Sequence, residues 1–256
     1  TFDPPIDDAI QRRVTAIDRL GKRIVLALED DRFLVIHLMI AGRFRWLPTN
    51  ADAASSKPPA KITLAALTFP SGILALVESG TTKRAGLFYL AGREALAALH
   101  TPGLDALTCS SAKFAAALQH ENHTLKRCLT DPRLFDGIGN AYSDEILHAA
   151  RLSPIALSQK LTPNECARLH AATKQVLMHW IDVLEKRFAE KFPGPGDVTA
   201  FRPEFAVHGK FGKPCPICGK PVQRIRYAEN ETNYCAICQT EGRLLADRYL
   251  SRLLKE

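Results

Sequence analysis

The pattern of apolar and polar positions changes rhythm near residue 92. Before it, apolar residues come in short blocks separated by turn formers, as strands do. Val14, Ala16 and Ile17 lead into Arg19-Leu20-Gly21-Lys22-Arg23. Ile24-Val25-Leu26-Ala27-Leu28 then runs to a Glu29-Asp30-Asp31 turn, and Phe33-Leu34-Val35-Ile36-His37-Leu38 returns, which predicts a hairpin with a charged tip. Residues 62–68 and 72–78 repeat the pattern across Pro70-Ser71-Gly72, and residues 50–60 read as a polar, proline-containing loop. Several short strands with turn signals predict a β-sandwich over residues 12–90.

Beyond Gly92 the apolar spacing becomes helical. Residues 94–100 and 111–120 carry Ala/Leu periodicity. Residues 162–190 form a long amphipathic run opening with Thr162-Pro163-Asn164-Glu165: an N-cap, a first-turn proline and a capping glutamate. Asp131-Pro132 reads as the cap and first-turn proline of a short helix, Gly137-Ile138-Gly139 as a tight turn, and Asn140 as the cap of the next helix. Phe192-Pro193-Gly194-Pro195-Gly196 breaks the long helix and reads as a linker, and residues 241–255 predict a terminal amphipathic helix. Strands first and helices afterwards make this an α+β multidomain chain.

Composition narrows the class. The chain has 256 residues, 46% of them hydrophobic, which is room for two or three small domains, or one large one, with real cores. No apolar run approaches the roughly 18 residues of a membrane helix. The formal charge is +7 and the pI about 9.1. From residue 206 to 256 there are nine Lys/Arg against five Asp/Glu, so this end is itself basic, which suits a polyanion partner.

Within it lie Cys215-Pro-Ile-Cys218 and, sixteen residues later, Cys235-Ala-Ile-Cys238. Each Cys-x-x-Cys turns two thiolates toward one metal, and four sulfurs suit a single structural Zn²⁺, with a β-hairpin between the pairs. The alternative, a redox pair or disulfides, would require two redox motifs side by side without a βαβ unit. Cys109, Cys128 and Cys166 are scattered and odd in number, as reduced core thiols of a cytoplasmic protein would be.

Gly137-Ile138-Gly139-Asn140 is the other candidate. Two glycines let the backbone approach a ligand, and a following helix N-terminus favours phosphate. Taken alone, the motif equally fits an ordinary capped helix corner.

Leu134–Glu145, the cysteine ribbon and the preceding β region together resemble the formamidopyrimidine-DNA glycosylase/endonuclease VIII family. Gly21-Lys22 and His37-Leu38-Met39-Ile40-Ala41-Gly42-Arg43 add weaker matches. The resemblance runs in order over nearly the whole chain. It implies a β-sandwich domain over residues 1–92, truncated at its start, a helix–two-turn–helix DNA-binding domain over 93–196, and a linker, zinc finger and C-terminal helix over 197–256. It also implies a monomeric, cytoplasmic, nucleoid-associated bacterial enzyme without membrane contact. Its partner is double-stranded DNA containing damaged bases or abasic sites. Such enzymes flip an oxidised base out of the duplex, excise it and nick the abasic strand through an iminium on an N-terminal proline. The runner-up reading is a non-catalytic relative that binds damaged DNA.

Carried over residue by residue, Lys22 matches the lysine that contacts phosphate and donates a proton during β-elimination; a solvated strand-end lysine is the plainer alternative. Lys126 and Asn140 match the backbone-binding lysine and asparagine, so loss of Lys126 should lower the salt slope of binding by about one. Arg84 matches an arginine on the loop facing the gap left by the flipped base; a surface hairpin arginine is the plainer alternative. Three departures stand out. The chain begins Thr1-Phe2-Asp3-Pro4-Pro5, not with the catalytic Pro-Glu, so the nucleophile is expected upstream and the chain as given is expected to be inactive. The family's gap-filling Met, Arg and Phe fall on Ile40, Lys83 and Ala85. The zinc-hairpin arginine falls on Asn230, and Arg224 and Arg226 are either the residues that take over part of that phosphate contact or plain hairpin residues. The loop near residues 192–205, which would shape the lesion pocket, is Pro/Gly-rich and gives no specificity.

Overall fold

The structure, a computed structural model, describes residues 4–49, 57–100, 103–194, 196–199, 201–227 and 230–245. The chain forms two compact units: Thr1–Thr101 with Glu185–Thr199, and Pro102–Leu184 with Ala200–Glu256.

In the first unit, β1 (Val14–Leu20), β2 (Arg23–Leu28), β3 (Arg32–His37), β4 (Gly42–Pro48), β5 (Thr63–Phe69), β6 (Gly72–Glu78) and β7 (Gly86–Ala91) make two antiparallel sheets, ordered β1-β2-β3-β7 and β4-β6-β5. Leu26, Leu28, Leu34 and Ile36 of one sheet pack with Leu76, Phe44 and Leu67 of the other, giving the expected sandwich core. On the opposite face of the first sheet, Val25, Phe33 and Val35 pack with Leu96 and Leu99, at and just beyond α1 (Arg93–Ala98). Both faces of β2 and β3 are therefore covered, and that is why these strands read as unbroken apolar blocks rather than alternating ones. The turn between them places Asp30 and Asp31 at φ 59° and 55°, the left-handed pair that a two-residue hairpin requires.

A short 3-10 turn (Ile6–Ala9) is tied to this sheet through Asp8. Its carboxylate accepts hydrogen bonds from Arg12 (2.7 Å), Tyr89 Oη (2.8 Å) and Arg32 Nε (2.9 Å), which hold it well below the usual carboxylate range.

The second unit has a short parallel pair, β8 (Leu104–Asp105) and β9 (Phe135–Asp136), and the helices α2 (Ser111–His120), α3 (Leu125–Thr130), α4 (Asn140–Ala149) and α5 (Pro163–Phe188) up to Leu184. Phe114, Leu118, Leu125, Leu129, Phe135, Ile146, Leu147 and Leu169 form its buried core, with the Phe114 and Phe135 rings 4.4 Å apart. Cys109, Cys128 and Cys166 are buried thiols in this core, and burial pushes each of them up from its ordinary value. At the start of α5, Thr162 and Glu165 form the expected reciprocal capping pair, with the Thr162 N–H donating to Glu165 (2.9 Å) and the Glu165 N–H to Thr162 Oγ1 (3.3 Å). The ribbon follows: β10 (Gln223–Tyr227), β11 (Asn230–Tyr234) and α6 (Ala236–Thr240).

Three local expectations are corrected. Asp131-Pro132 does not start a helix: Asp131 lies just past the end of α3, and its carboxylate accepts the Arg133 N–H (2.9 Å) as an Asx turn. Asn140 is not a cap but the first residue of α4; Gly139 occupies the cap position. Residues 241–245 are turn and coil rather than helix, and the rest of the expected terminal helix lies outside the described residues.

Candidate metal centre and nucleic-acid interface

The two cysteine pairs converge. The sulfurs of Cys215, Cys218, Cys235 and Cys238 all lie within 4.8 Å of one another. The Cys215–Cys238 and Cys218–Cys235 separations are 3.9 and 3.4 Å. Tetrahedral Zn²⁺ with Zn–S bonds of about 2.3 Å places sulfurs about 3.8 Å apart, whereas a disulfide needs about 2 Å. The donor set and its size therefore fit one structural zinc. The Lys220 backbone N–H is the main influence holding the Cys218 thiol down at about 7. His148 Nε2 on α4 stands 3.2 Å from Cys215 Sγ, and as its N–H tautomer it donates to that sulfur, the kind of outer contact that orients a ligand. Burial lowers the pKa of this imidazole from its ordinary value, with a smaller push from Arg151.

α4 is also the support on which the ribbon rests. Asp144 is buried; one carboxylate oxygen accepts the Lys126 ammonium. The other meets His208 Nδ1 at 2.7 Å and accepts the Asn233 N–H at 3.1 Å. Glu145 accepts three consecutive backbone N–H groups, those of Ala206 (2.8 Å), Val207 and His208 (2.9 Å each). The Asn140 side-chain amide donates to Glu231 O in β11 (3.1 Å), and Lys126 Nζ donates to Asn140 O (2.6 Å). Lys126 and Asn140 are thus brought together beside the glycine turn, joined to the hairpin, with Lys126 already ion-paired. Burial pulls the Lys126 pKa down, against the attraction of Asp144.

On the hairpin, Arg224 and Arg226 both face Glu231, at 3.4 and 3.3 Å, and the Arg224 guanidinium lies 4.0 Å from the centre of the Phe211 ring. Asn230 opens β11, paired with Tyr227 across the turn.

The first unit gathers a separate group. Strand register places Lys22 in the β1–β2 turn beside Arg23 and the end of β3; His37 pairs with Gly86, and Gly42 with Glu78. Lys22, the turn at residues 38–41 and the Lys83-Arg84 loop therefore emerge at one end of the sandwich. Lys22 follows Gly21, whose φ of 61° closes the turn. Met39 has φ 53°, and Ile40 next to it is 77% exposed, while Arg43 donates to Ile40 O (2.9 Å) and Gly42 O (2.7 Å) beneath the turn.

Sequence reasoning missed Asp144, His148, His208 and Glu78. Each of the first three has a partner 64 to 89 positions away, beyond any local period, and Asp144 also meets Lys126, 18 positions before it.

These elements define a class: a sandwich protein whose helical unit carries a four-cysteine zinc ribbon braced on one helix. Comparison with known proteins agrees. Residues 4–80 match the formamidopyrimidine-DNA glycosylase N-terminal domain, 102–189 the formamidopyrimidine-DNA glycosylase H2TH domain, and 212–240 the zinc finger found in FPG and IleRS. The formamidopyrimidine-DNA glycosylase of Thermus thermophilus is 34% identical over 234 residues, 90% of this chain and 84% of its own. The crystal structure of MutM (Fpg) from the same bacterium superposes with a TM-score of 0.72 at 33% identity, covering 91% of this chain and 85% of that one. An uncharacterized formamidopyrimidine-DNA glycosylase-like protein of Mycobacterium tuberculosis is 40% identical over 153 residues, 60% of this chain and 94% of that one. The chain belongs to the formamidopyrimidine-DNA glycosylase family. No described helix is long and apolar enough to cross a membrane.

Proposed function

We propose that this protein acts as a monomer on double-stranded DNA in the bacterial cytoplasm, as a glycosylase for oxidised bases with strand-nicking activity at the abasic site. The observation that carries the reading is the ribbon braced on α4 beside the glycine turn, in a chain 34% identical to a formamidopyrimidine-DNA glycosylase across 84% of that enzyme. In this reading, Lys22 contacts a phosphate and hands a proton to the leaving strand during elimination. Arg84 and Ile40 face the gap left by the extruded nucleotide. Lys126, Asn140, Arg224, Arg226 and Asn230 track the backbone, with Arg224 and Arg226 shared between phosphate and Glu231.

The attacking group is a secondary amine that forms an iminium at C1′. Pro4 and Pro5 carry amide nitrogens and cannot do this. The reading therefore gives residues 1–256 the binding and proton-handling groups but not the nucleophile.

The test is a gel shift on duplexes with and without one abasic site, followed by borohydride trapping. We expect preferential binding of the abasic duplex and no covalent adduct with residues 1–256. Equal binding of both duplexes overturns the repair reading, and a trapped adduct overturns the assignment of the nucleophile.

A further inference from the structure

Glu78, the last residue of β6, is only 1% exposed, an unusual place for a carboxylate. Its Oε2 accepts the backbone N–H groups of Arg84 (2.9 Å) and Ala85 (3.1 Å), and its carbonyl oxygen receives the Lys83 ammonium. The residue at which the chain leaves the sheet thus grips the same chain where it returns. Its own N–H donates to Ile62 O (2.8 Å), so Glu78 is itself fixed from behind. The loop end abuts the neighbouring turn: a Cβ on Gly42 would lie 2.4 Å from Leu38 O and 3.0 Å from Ala85 Cβ, so only glycine permits this approach. In contrast to this held backbone, the Arg84 guanidinium is exposed and has no partner among the described residues.

A buried anion spent on two loop amides, next to an uncommitted surface cation, is a device for aiming that cation. We propose that Glu78 is a positioning residue: it fixes the backbone from which Arg84 reaches into the gap of a duplex lacking a base. The proposal rests on the functional reading above. It concerns selectivity for the gap rather than general affinity for DNA, because the remaining cations stay where they are.

The test uses the full chain and fluorescence anisotropy with two duplexes that differ only by a tetrahydrofuran abasic analogue. The readout is the ratio of the two dissociation constants. Arg84→Ala sets the scale, with an expected loss of preference of about tenfold, the equivalent of one good contact. Glu78→Ala is expected to lose the same preference while leaving affinity for the intact duplex unchanged, and the double variant to lose no more than either single one, the signature of residues acting together. Glu78→Gln keeps an acceptor oxygen and is expected to restore the ratio. In the wild type, the Arg84 and Ala85 amides should exchange more slowly than those of residues 80–82, a measurement that stands even where Glu78→Ala fails to fold. Wild-type preference in Glu78→Ala, additive losses in the double variant, a folded Glu78→Gln that loses the preference, or fast exchange of both amides overturns the Glu78 assignment alone. A wild type with no preference, or an Arg84→Ala that keeps it, overturns the functional reading and the proposal with it.

Discussion

Stripping zinc from the ribbon, by chelation or by Cys235→Ser, is expected to weaken the helical core as well as to unfold the hairpin. Besides the His148 contact to Cys215 Sγ (3.2 Å), three hydrogen bonds join the metal-held segment to α4 and the turn after it: Asn233 N–H to Asp144 (3.1 Å), Asn140 to Glu231 O (3.1 Å) and Gln239 to Leu152 O (2.9 Å). The two neutral bonds contribute about 1 kcal/mol each and the one to the buried carboxylate about 2 kcal/mol, partly offset as water reaches the freed groups. A net loss of about 3 kcal/mol is expected for the helical unit. That is too little to unfold a core built on Phe114, Phe135 and Leu169, but enough to lower its melting temperature by about 10 °C. Hydrogen exchange of the α4 amides with and without chelator, alongside helical melting by circular dichroism, measures it, and added Zn²⁺ should restore both. If metal loss is demonstrated while α4 protection and helical melting stay at their holo values, the helix does not depend on the ribbon and the coupling argued from these bonds is wrong.

Lys126→Ala should cost about 3 kcal/mol, because it removes the cation paired with the buried Asp144 carboxylate and leaves one of its oxygens without its donor; a urea titration measures this. Since Asp144 already answers its charge, its loss should lower the salt slope of DNA binding by less than the roughly 0.9 of a full phosphate contact, and a drop of that full size would refute this. The depressed pKa of Asp8 has a pH signature. Its contribution is complete above 3.8, where the unfolded carboxyl is ionised, and is lost as pH falls below that toward the lower folded value. Asp8→Asn should therefore lower stability at neutral pH and flatten the acid limb of the urea-midpoint profile; a parallel profile would remove Asp8 from that role.

Much of the architecture was legible because local chemistry and tertiary structure agree in it. The apolar blocks of β2 and β3, the Thr162/Glu165 capping pair and the cysteine spacing each state a geometry within a few residues. The errors fell where two chemistries share one residue type. Asp131 before a proline looks like a helix cap, yet the carboxylate serves Arg133 instead, and Thr130 Oγ1 closes the preceding helix by bonding back to Lys126 O (2.9 Å). Asn140 after a glycine turn looks like a cap too, but its amide answers to Glu231, 91 positions on. Glu78 reads only as the polar end of an apolar strand, since nothing near it announces that two returning amides will need an acceptor. Asp144 and His208 belong to stretches that read as ordinary helix and linker, and only the folded chain brings them within 2.7 Å.

The grip of Glu145 on the amides of residues 206–208 sets the terms for recombining this protein with its relatives. A chimaera that exchanges only the metal-binding segment leaves those amides, and Val207 packed against Cys215 and Cys235, on the host side of the junction. The foreign finger then lands on a surface shaped for another guest. The natural cut lies upstream of residue 206, so that the graft travels with its own handle and needs from its host the acceptor that Glu145 supplies, together with the Asp144, Asn140 and His148 contacts of the same helix.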